Sequence, residues 1–346
     1  MRAMVVTRPG GPEVLEEQER PTPEPTTGEA LVRVAAVGVN RADILQRLGR
    51  YPVPPGYPDD ILGLEFAGTV EALGPDVLPA ASAPSPPGFA DSKARSGSGP
   101  GVGDRVMGIT GGGSYAEYVS APISTLLPAP NGMSLTDAGA IPEVFATAFD
   151  AVYLQARLKP GETLLVHAAG SGVGTAAIQL AKASGNQTVG TSRSGWKLER
   201  AKRLGLDHPV IADEEWADRA LDLTGGRGVD VILDLVGAPY LSGNQRALAK
   251  RGRHIVVGVP GGAVGQVDLR RLMTMRASIS GTVLRARPLS EKEELTAAMA
   301  RDLLPGFASG ALRPVVDRTF PATEAGAAHT YMAANRNFGK IVLIWS

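Results

Sequence analysis

The sequence contains no cysteine among its 346 residues. This absence excludes disulfides, thiol nucleophiles and thiolate zinc sites, and it favours a cytoplasmic location. The 35 basic residues balance the 35 acidic ones, so no net charge favours nucleic acid or an anionic membrane as a partner. No apolar run approaches the roughly 18 residues of a membrane span. We therefore expect a cytoplasmic protein whose partner is neither nucleic acid nor a membrane.

Residues 164–181 read LLVHAAGSGVGTAAIQLA and carry the most informative signal in the chain. An apolar strand ends at His167, a turn of small residues follows, and an apolar helix begins near residue 173. This order lets the backbone approach a pyrophosphate and presents unpaired N–H groups and a positive dipole end to it. The candidate contacts are Ala169, Ser171, Gly172, Val173 and Gly174. The glycine fingerprint is degenerate, so a turn whose small residues only permit close packing remains the alternative.

An acidic residue is missing after the second strand of this region. NAD enzymes usually place Asp or Glu about 20 residues past the glycines, where it binds the ribose 2′-hydroxyl. Here the chain offers two hydroxyls and two cations instead, in Ser192, Arg193, Ser194 and Lys197. Arg can form paired hydrogen bonds with a 2′-phosphate and Lys can act as a point charge. The pattern predicts NADPH rather than NADH as cofactor; a solvated loop is the alternative.

The chain divides into three regions by pattern. Up to residue 124, short apolar β-type runs alternate with Gly, Pro and Asp turns, which predicts a small antiparallel, barrel-like domain. From 125 to 285, strand and helix patterns alternate, which predicts a doubly wound parallel sheet with helices on both faces. The tail, 286–346, most simply returns to the first domain. The fold class is therefore α/β, with a Rossmann domain and a second, β-rich domain.

Residues 79–101 fit neither domain. They read PAASAPSPPGFADSKARSGSGPG and offer one aromatic side chain and little else to bury. Such a composition cannot offset its own ordering entropy, so we expect a mobile surface loop.

Short blocks spread over nearly the whole chain carry a family resemblance: 39–43 (VNRAD), 49–52 (GRYP), 63–68 (GLEFAG), 103–106 (GDRV) and 339–342 (GKIV). With the glycine turn, they resemble the zinc-independent, zeta-crystallin-like quinone oxidoreductases of the medium-chain dehydrogenase/reductase superfamily. The resemblance implies a GroES-like catalytic domain (1–124 and 286–346) and a Rossmann domain that binds NADPH (125–285).

Leu64 departs from the zinc-dependent members of this superfamily, which carry Gly-His-Glu where this chain has Gly63-Leu64-Glu65. Leucine cannot ligate a metal, and a catalytic zinc needs about three protein ligands. None of the four histidines has ligand-like spacing to another. We therefore expect no metal, and an acceptor that is already electron-poor, such as a quinone or a conjugated enone.

The resemblance also implies the site residues. Asn40, Tyr51 and Thr147 match catalytic positions, although Asn40 could simply cap the helix 41–48, Tyr51 could pack beside its neighbours, and Thr147 could be a satisfied helix hydroxyl. Further cofactor contacts implied by the family are Gly258, Val283, Leu284, Arg285 and Asn337.

The function implied is metal-free hydride transfer from NADPH to quinones or related conjugated carbonyls. A reductase of 2-alkenals or enoyl thioesters and a non-catalytic NADPH-binding regulatory protein are the alternatives. In the resembled family, the strand that matches residues 278–284 pairs with its copy across a two-fold axis. We therefore expect a homodimer, because an exposed edge of β-forming residues is a pairing hazard unless it is covered.

Overall fold

A computed structural model describes residues 1–75 and 99–345 of the chain. The expected loop at 79–101 lies outside the described residues except for its last three positions. The chain forms two compact units, Met1–Ala146 with Arg285–Ser346, and Thr147–Leu284.

Strands and helices alternate with short turns along the described residues. The strands are β1 (Arg2–Val6), β2 (Leu15–Glu19), β3 (Glu29–Val39), β4 (Glu65–Leu73), β5 (Arg105–Ile109), β6 (Tyr118–Pro122), β7 (Leu126–Pro128), β8 (Thr163–Val166), β9 (Gln187–Ser192), β10 (His208–Ile211), β11 (Val229–Asp234), β12 (Leu248–Val256), β13 (Ser278–Gly281), β14 (Val316–Pro321) and β15 (Lys340–Ile344). The helices are α1 (Arg41–Arg47), α2 (Leu135–Ala138), α3 (Pro142–Phe149), α4 (Gly172–Ala183), α5 (Gly195–Lys202), α6 (Trp216–Leu223), α7 (Leu241–Ala247), α8 (Leu269–Met275), α9 (Leu289–Asp302), α10 (Leu304–Ala308) and α11 (Ala325–Ala333).

The first unit is built on a sheet in the order β14-β15-β3-β4-β5-β7, with β6 also paired to β3. All pairs except β14–β15 are antiparallel. The long strand β3 is mostly buried and carries the apolar core, in which Val32, Val37, Phe66 and Ile341 are fully buried. Because β15 pairs with β3, the tail of the chain belongs to this unit.

Residues 125–146 also belong to the first unit. Strand β7 pairs with β5, and Ala140 packs with Ala36 and Val342 in a small buried cluster. The sequence pattern places the start of the second domain at residue 125, whereas the compact unit begins at Thr147. The difference arises because strand pairing, which composition does not show, holds this segment to β5.

The second unit contains a six-stranded parallel sheet in the order β10-β9-β8-β11-β12-β13. Strands β8 and β11 are buried at every position, which explains why most of their residues are apolar, since helices cover both faces of such a sheet. Counted from β8, the order is 3-2-1-4-5-6, the arrangement of a Rossmann fold. The predicted fold class is therefore confirmed.

The edge strand β13 is shorter than the sequence suggests. It ends at Gly281 rather than at residue 284, because its neighbour β12 ends at Val256. The hydroxyl of Thr282 then donates to the Asp150 carboxylate at 3.1 Å. Most of β13 is exposed, and among the described strands it pairs only with β12. The homodimer remains a prediction.

We expect the wild-type protein to sediment at micromolar concentration with twice the mass of one chain. The N–H of Thr282 donates to the Val256 carbonyl of the neighbouring strand β12. Because backbone N–H groups alternate in direction along a strand, the N–H of Ile279 points away from β12, toward the open edge of the sheet. Ile279→Pro deletes that donor and should yield monomers, whereas Ile279→Ala keeps it and should remain dimeric. A wild-type protein that sediments as a single chain would contradict the dimer.

Candidate cofactor and substrate sites

The turn between β8 and α4 has the geometry of a phosphate cradle. Ser171 precedes α4, and its hydroxyl accepts a hydrogen bond from the N–H of Gly174 at 3.0 Å. Ala168 adopts a positive φ of 50°, which is uncommon for a residue with a side chain. The first N–H groups of α4 have no partner within the helix, and the positive end of its dipole lies at the same place.

Gly174 shows how closely the helix approaches this turn. A Cβ atom there would lie 2.6 Å from the Ala168 carbonyl oxygen and 2.9 Å from the Ala169 carbonyl carbon. Both contacts are too short for real atoms, so the position requires glycine. The residues Ala169, Ser171, Gly172, Val173 and Gly174 thus form one compact, backbone-lined turn, which fits the pyrophosphate of a dinucleotide.

The loop after β9 presents cations beside this turn. The hydroxyl of Ser192 accepts a hydrogen bond from the N–H of Ser194 at 3.1 Å, which fixes the loop where α5 begins. Arg193 is exposed, and the ammonium group of Lys197 lies 5.4 Å from the centre of the exposed Trp196 ring. Strands β8 and β9 are adjacent and parallel, so this loop and the β8–α4 turn share one edge of the sheet.

A buried polar network underlies the same edge, and sequence reasoning missed it. His167 lies 2.6 Å from the Asn244 side-chain oxygen and 2.8 Å from the Thr191 hydroxyl. The Asn244 amide donates to Asp234 at 3.0 Å, and His254 contacts the same carboxylate at 2.9 Å. The signal in the sequence was a polar residue at or just after the ends of the apolar strands β8 and β11.

The network fixes two turns of the second unit. Asp234 accepts hydrogen bonds from the N–H groups of Val236 and Gly237 at 2.8 and 2.9 Å. Burial lowers the pKa of His167 to about 4, so its imidazole is neutral.

Among the other predicted cofactor contacts, the N–H of Gly258 donates to the Asp234 carbonyl at 3.3 Å. Val283 is exposed, whereas Leu284 and Thr147 are buried.

In the first unit, the fully buried Glu65 carboxylate gathers groups from distant parts of the chain. One oxygen accepts from the Asn40 amide at 2.9 Å and from the Lys340 ammonium at 2.6 Å. The other accepts from the N–H of Glu143 at 2.9 Å. Lys340 is also buried, and it donates in addition to the Val39 carbonyl and the Asn40 side-chain oxygen, both at 2.8 Å. All three donors of its ammonium group are therefore used.

Asn40 is held rigidly by these contacts. It begins α1, and its N–H donates to the Asp43 carboxylate at 2.7 Å. Its side-chain amide donates to the Gly38 carbonyl at 3.1 Å as well as to Glu65. Because both amide N–H groups are engaged, a donor to a ligand oxygen must come from another side chain.

Tyr51 is stacked against a guanidinium group that the sequence assigned to the cofactor. The Arg285 guanidinium carbon lies 5.1 Å from the centre of the Tyr51 ring, and both residues belong to the first unit. Burial raises the pKa of the Tyr51 hydroxyl. Asn337, also predicted to contact the cofactor, is buried and donates to the Gly339 carbonyl at 2.8 Å.

Glu143 is a second residue that sequence reasoning missed. Its side chain is half-buried at the start of α3. Burial, followed by repulsion from Glu65, raises the pKa of its carboxyl to about 8, against the opposing effects of Lys340 and Arg285. The group is therefore mostly protonated at neutral pH. The available signal was a lone acidic residue in the otherwise apolar stretch 141–149.

The position before Glu65 is occupied by Leu64, which is 2% exposed. No group of three or more His, Asp or Glu side chains among residues 1–75 and 99–345 could hold a metal ion. No helix in that same part of the chain is long and apolar enough to cross a membrane.

Breaking the Glu65–Lys340 pair should be costly. Lys340→Met leaves a buried carboxylate without its counter-ion, which we expect to lower the free energy of unfolding by about 3–5 kcal/mol. Adding Glu65→Gln to the Lys340→Met variant removes the unpaired charge and should restore part of the lost free energy of unfolding. The matched control is Arg33→Met, which removes the exposed partner of Glu71 and should cost about 1 kcal/mol or less. Denaturant unfolding gives the free energy of unfolding of the wild-type protein and the three variants. Equal losses in Lys340→Met and Arg33→Met would show that the buried Glu65–Lys340 pair is no more important than an exposed one.

Two family models match the chain. Residues 26–131 match the alcohol dehydrogenase GroES-like domain, and residues 172–301 match a family described as zinc-binding dehydrogenase. A quinone oxidoreductase of Pseudomonas aeruginosa is 34% identical over 97% of each chain, and one of Rattus norvegicus is 32% identical over 99% of this chain and 98% of that one. A phenolphthiocerol synthesis polyketide synthase of Mycobacterium marinum is 34% identical, but this chain spans only 14% of its length.

Solved structures show the same likeness. A mycobacterial protein complexed with NADPH is 31% identical, with a TM-score of 0.85 and full coverage of both chains. An NAD-dependent alcohol dehydrogenase is 33% identical, with a TM-score of 0.84 and the same coverage. On its fold, its two family matches and its quinone oxidoreductase relatives, the chain belongs to the medium-chain dehydrogenase/reductase superfamily.

Proposed function

We propose that this protein is an NADPH-dependent reductase that transfers hydride to quinones or related conjugated carbonyls without a metal. The observation that carries the proposal is the environment of Glu65. Where zinc-dependent members have a histidine ligand, this chain has the buried Leu64. Both oxygens of the neighbouring carboxylate bind groups of the protein itself, including Lys340. A site without a Lewis acid favours acceptors that are already electron-poor.

The second unit supplies the cofactor contacts in this proposal. The turn from Ala169 to Gly174 would hold the pyrophosphate, and the loop after β9 would hold the 2′-phosphate through Ser192, Arg193, Ser194 and Lys197. NADPH, when bound, supplies the hydride. The NADPH complex of the similar mycobacterial protein supports this choice. Gly258, Val283 and Leu284 of this unit remain predicted cofactor contacts, as do Arg285 and Asn337 of the first unit, and Thr147 remains a predicted catalytic residue.

The first unit supplies the acceptor contacts. Tyr51 would donate a hydrogen bond to the acceptor oxygen as negative charge develops on it. Asn40, fixed by Glu65, Lys340 and Asp43, would act by orienting the acceptor rather than by donating to it. The similarity to quinone oxidoreductases at 32–34% identity supports a quinone as acceptor.

A panel of acceptors tests the function. NADPH oxidation should be steady with 1,4-naphthoquinone and should survive exhaustive chelation, while simple ketones should not react. Trans-2-hexenal and crotonyl thioesters are the second and third acceptors tested. Faster turnover with either one would indicate that the substrate is an alkenal or an enoyl thioester rather than a quinone. Binding of NADPH without turnover in any arm would instead indicate a regulatory protein. Loss of activity on chelation, restored by zinc alone, would refute the metal-free mechanism.

Cofactor choice has its own test. Arg193→Ala and Lys197→Ala should each weaken NADPH binding by about tenfold or more, because a charge-assisted contact contributes roughly 1.5–3 kcal/mol, and should leave NADH affinity nearly unchanged. The control is Lys202→Ala, on the same helix α5, whose ammonium group pairs with Glu199. Fluorescence titration with both cofactors measures the four proteins. Equal affinity of the wild-type protein for NADPH and NADH would contradict the assignment.

A further inference from the structure

Arg285 carries a hydrogen-bond donor that nothing in the described structure uses. Its side chain is buried, at 5% exposure. Its Nε donates to the Gly111 carbonyl and its Nη2 to the Gln46 side-chain oxygen, both at 2.7 Å. Its Nη1 is buried and has no partner among residues 1–75 and 99–345. An unsatisfied buried donor is costly and therefore rare, which points to an acceptor atom that arrives with a ligand.

The orientation of this donor is fixed. Two hydrogen bonds hold the guanidinium plane, and the Tyr51 ring stacks against it at 5.1 Å. The guanidinium group that carries the unused N–H therefore lies against the tyrosine that the proposed function places at the acceptor. A cationic donor favours an oxygen that is negative or becomes negative during a reaction.

The Glu143 carboxyl interacts electrostatically with both Arg285 and Tyr51. Its backbone N–H is held by Glu65 at 2.9 Å, but no hydrogen bond engages its carboxyl group within the described part of the chain, and its side chain is half-buried. The ionisable groups that interact with it electrostatically come from several elements: Glu65, Asp43, Lys340, Arg285, Lys292 and Tyr51.

Burial and the neighbouring negative charge of Glu65 keep this carboxyl in its acid form. Lys340 cannot pair with it, because its three donors are taken by Val39, Asn40 and Glu65. Burial and the charge of Glu65 raise the pKa of Glu143 to about 8. Burial also raises the pKa of Tyr51 above its ordinary value of 10, so Glu143 is the stronger acid of the two. An effective catalytic acid has a pKa near the working pH.

We propose that Glu143 is the proton donor of the reaction, and that it protonates an acceptor oxygen held by the Nη1 of Arg285. The assignment rests on the proposed function and extends it to the proton that the reduction consumes.

The atoms and electrons of this step balance. As hydride from the nicotinamide bonds to the acceptor, an electron pair of its conjugated system moves onto the oxygen, which the Arg285 N–H stabilises. The O–H bond of the Glu143 carboxyl breaks, and the proton bonds to that oxygen. The products are the reduced acceptor, the oxidised nicotinamide and a Glu143 carboxylate, and this half-buried carboxylate then takes a proton from water.

The first test replaces the acid by its isostere. In the wild-type protein, kcat with 1,4-naphthoquinone should be constant at neutral pH and fall as the pH rises through about 8, where Glu143 loses its proton. Glu143→Gln should lower kcat by about 10²-fold or more and abolish that fall, with unchanged affinity for NADPH. Glu143→Asp keeps an acid and should retain the fall at a reduced rate. The control, Glu294→Gln, alters an exposed residue of α9 and should match the wild-type protein.

Two further measurements separate the proton donor from a structural role. In ¹³C NMR of the protein labelled at Glu carboxyl groups, one resonance should titrate with a midpoint near about 8 and be missing from Glu143→Gln. Arg285→Lys keeps the charge but loses the fixed guanidinium plane. It should raise KM for the quinone by about tenfold or more, with little change in NADPH affinity.

The outcomes are distinguishable. If the wild-type protein reduces quinones and Glu143→Gln retains its rate and pH profile, the proton donor is wrong and the proposed function stands. A Glu143 resonance that titrates at an ordinary carboxyl pKa also overturns the assignment. If the wild-type protein reduces none of the acceptors, both proposals fail together.

Discussion

Glu65 is a fully buried carboxylate, and burying such a charge is favourable only when every lone pair finds a donor. The donors come from the start of α1, the start of α3 and the start of β15, which are far apart along the chain. Satisfying this one charge therefore fixes three segments together. It immobilises Asn40 and uses up the ammonium group of Lys340. Within residues 1–75 and 99–345, the Glu143 carboxyl is then left without an ion pair.

The second unit also contains a buried carboxylate, Asp234, and its polar network includes the neutral imidazole ring of His167. Burial would raise the pKa of Asp234, but hydrogen bonds from His254 and from the backbone N–H groups of Gly237 and Val236 lower it below its ordinary value. His167 stays neutral, because burial lowers its pKa to about 4. The result is a rigid polar network beneath the carboxyl edge of the parallel sheet, where an α/β fold binds its ligand. The turns after β8 and β11 are held by this network rather than by apolar packing alone.

Much of the architecture could be predicted because its signals are local. The apolar runs of β8 and β11, the small residues of the intervening turn and the helix that follows are contiguous, and each element needs only its own sequence to be recognised. The start of the second unit and the end of β13 were misplaced for the opposite reason. Each depends on which strand pairs with which, and where the partner ends, as the pairs β5–β7 and β12–β13 show.

The sequence by itself determined the fold class, the turn of small residues around Ser171 and Gly174, and the absence of thiols, because residue type and spacing carry that information. Only the tertiary structure decided what the polar side chains do. It engaged both amide N–H groups of Asn40, brought the Arg285 guanidinium to Tyr51 and left its Nη1 unpartnered within the described residues, and surrounded Glu143 with groups that hold its proton. Burial and long-range pairing set hydrogen-bond supply and pKa, and neither quantity is written in the local pattern of residues.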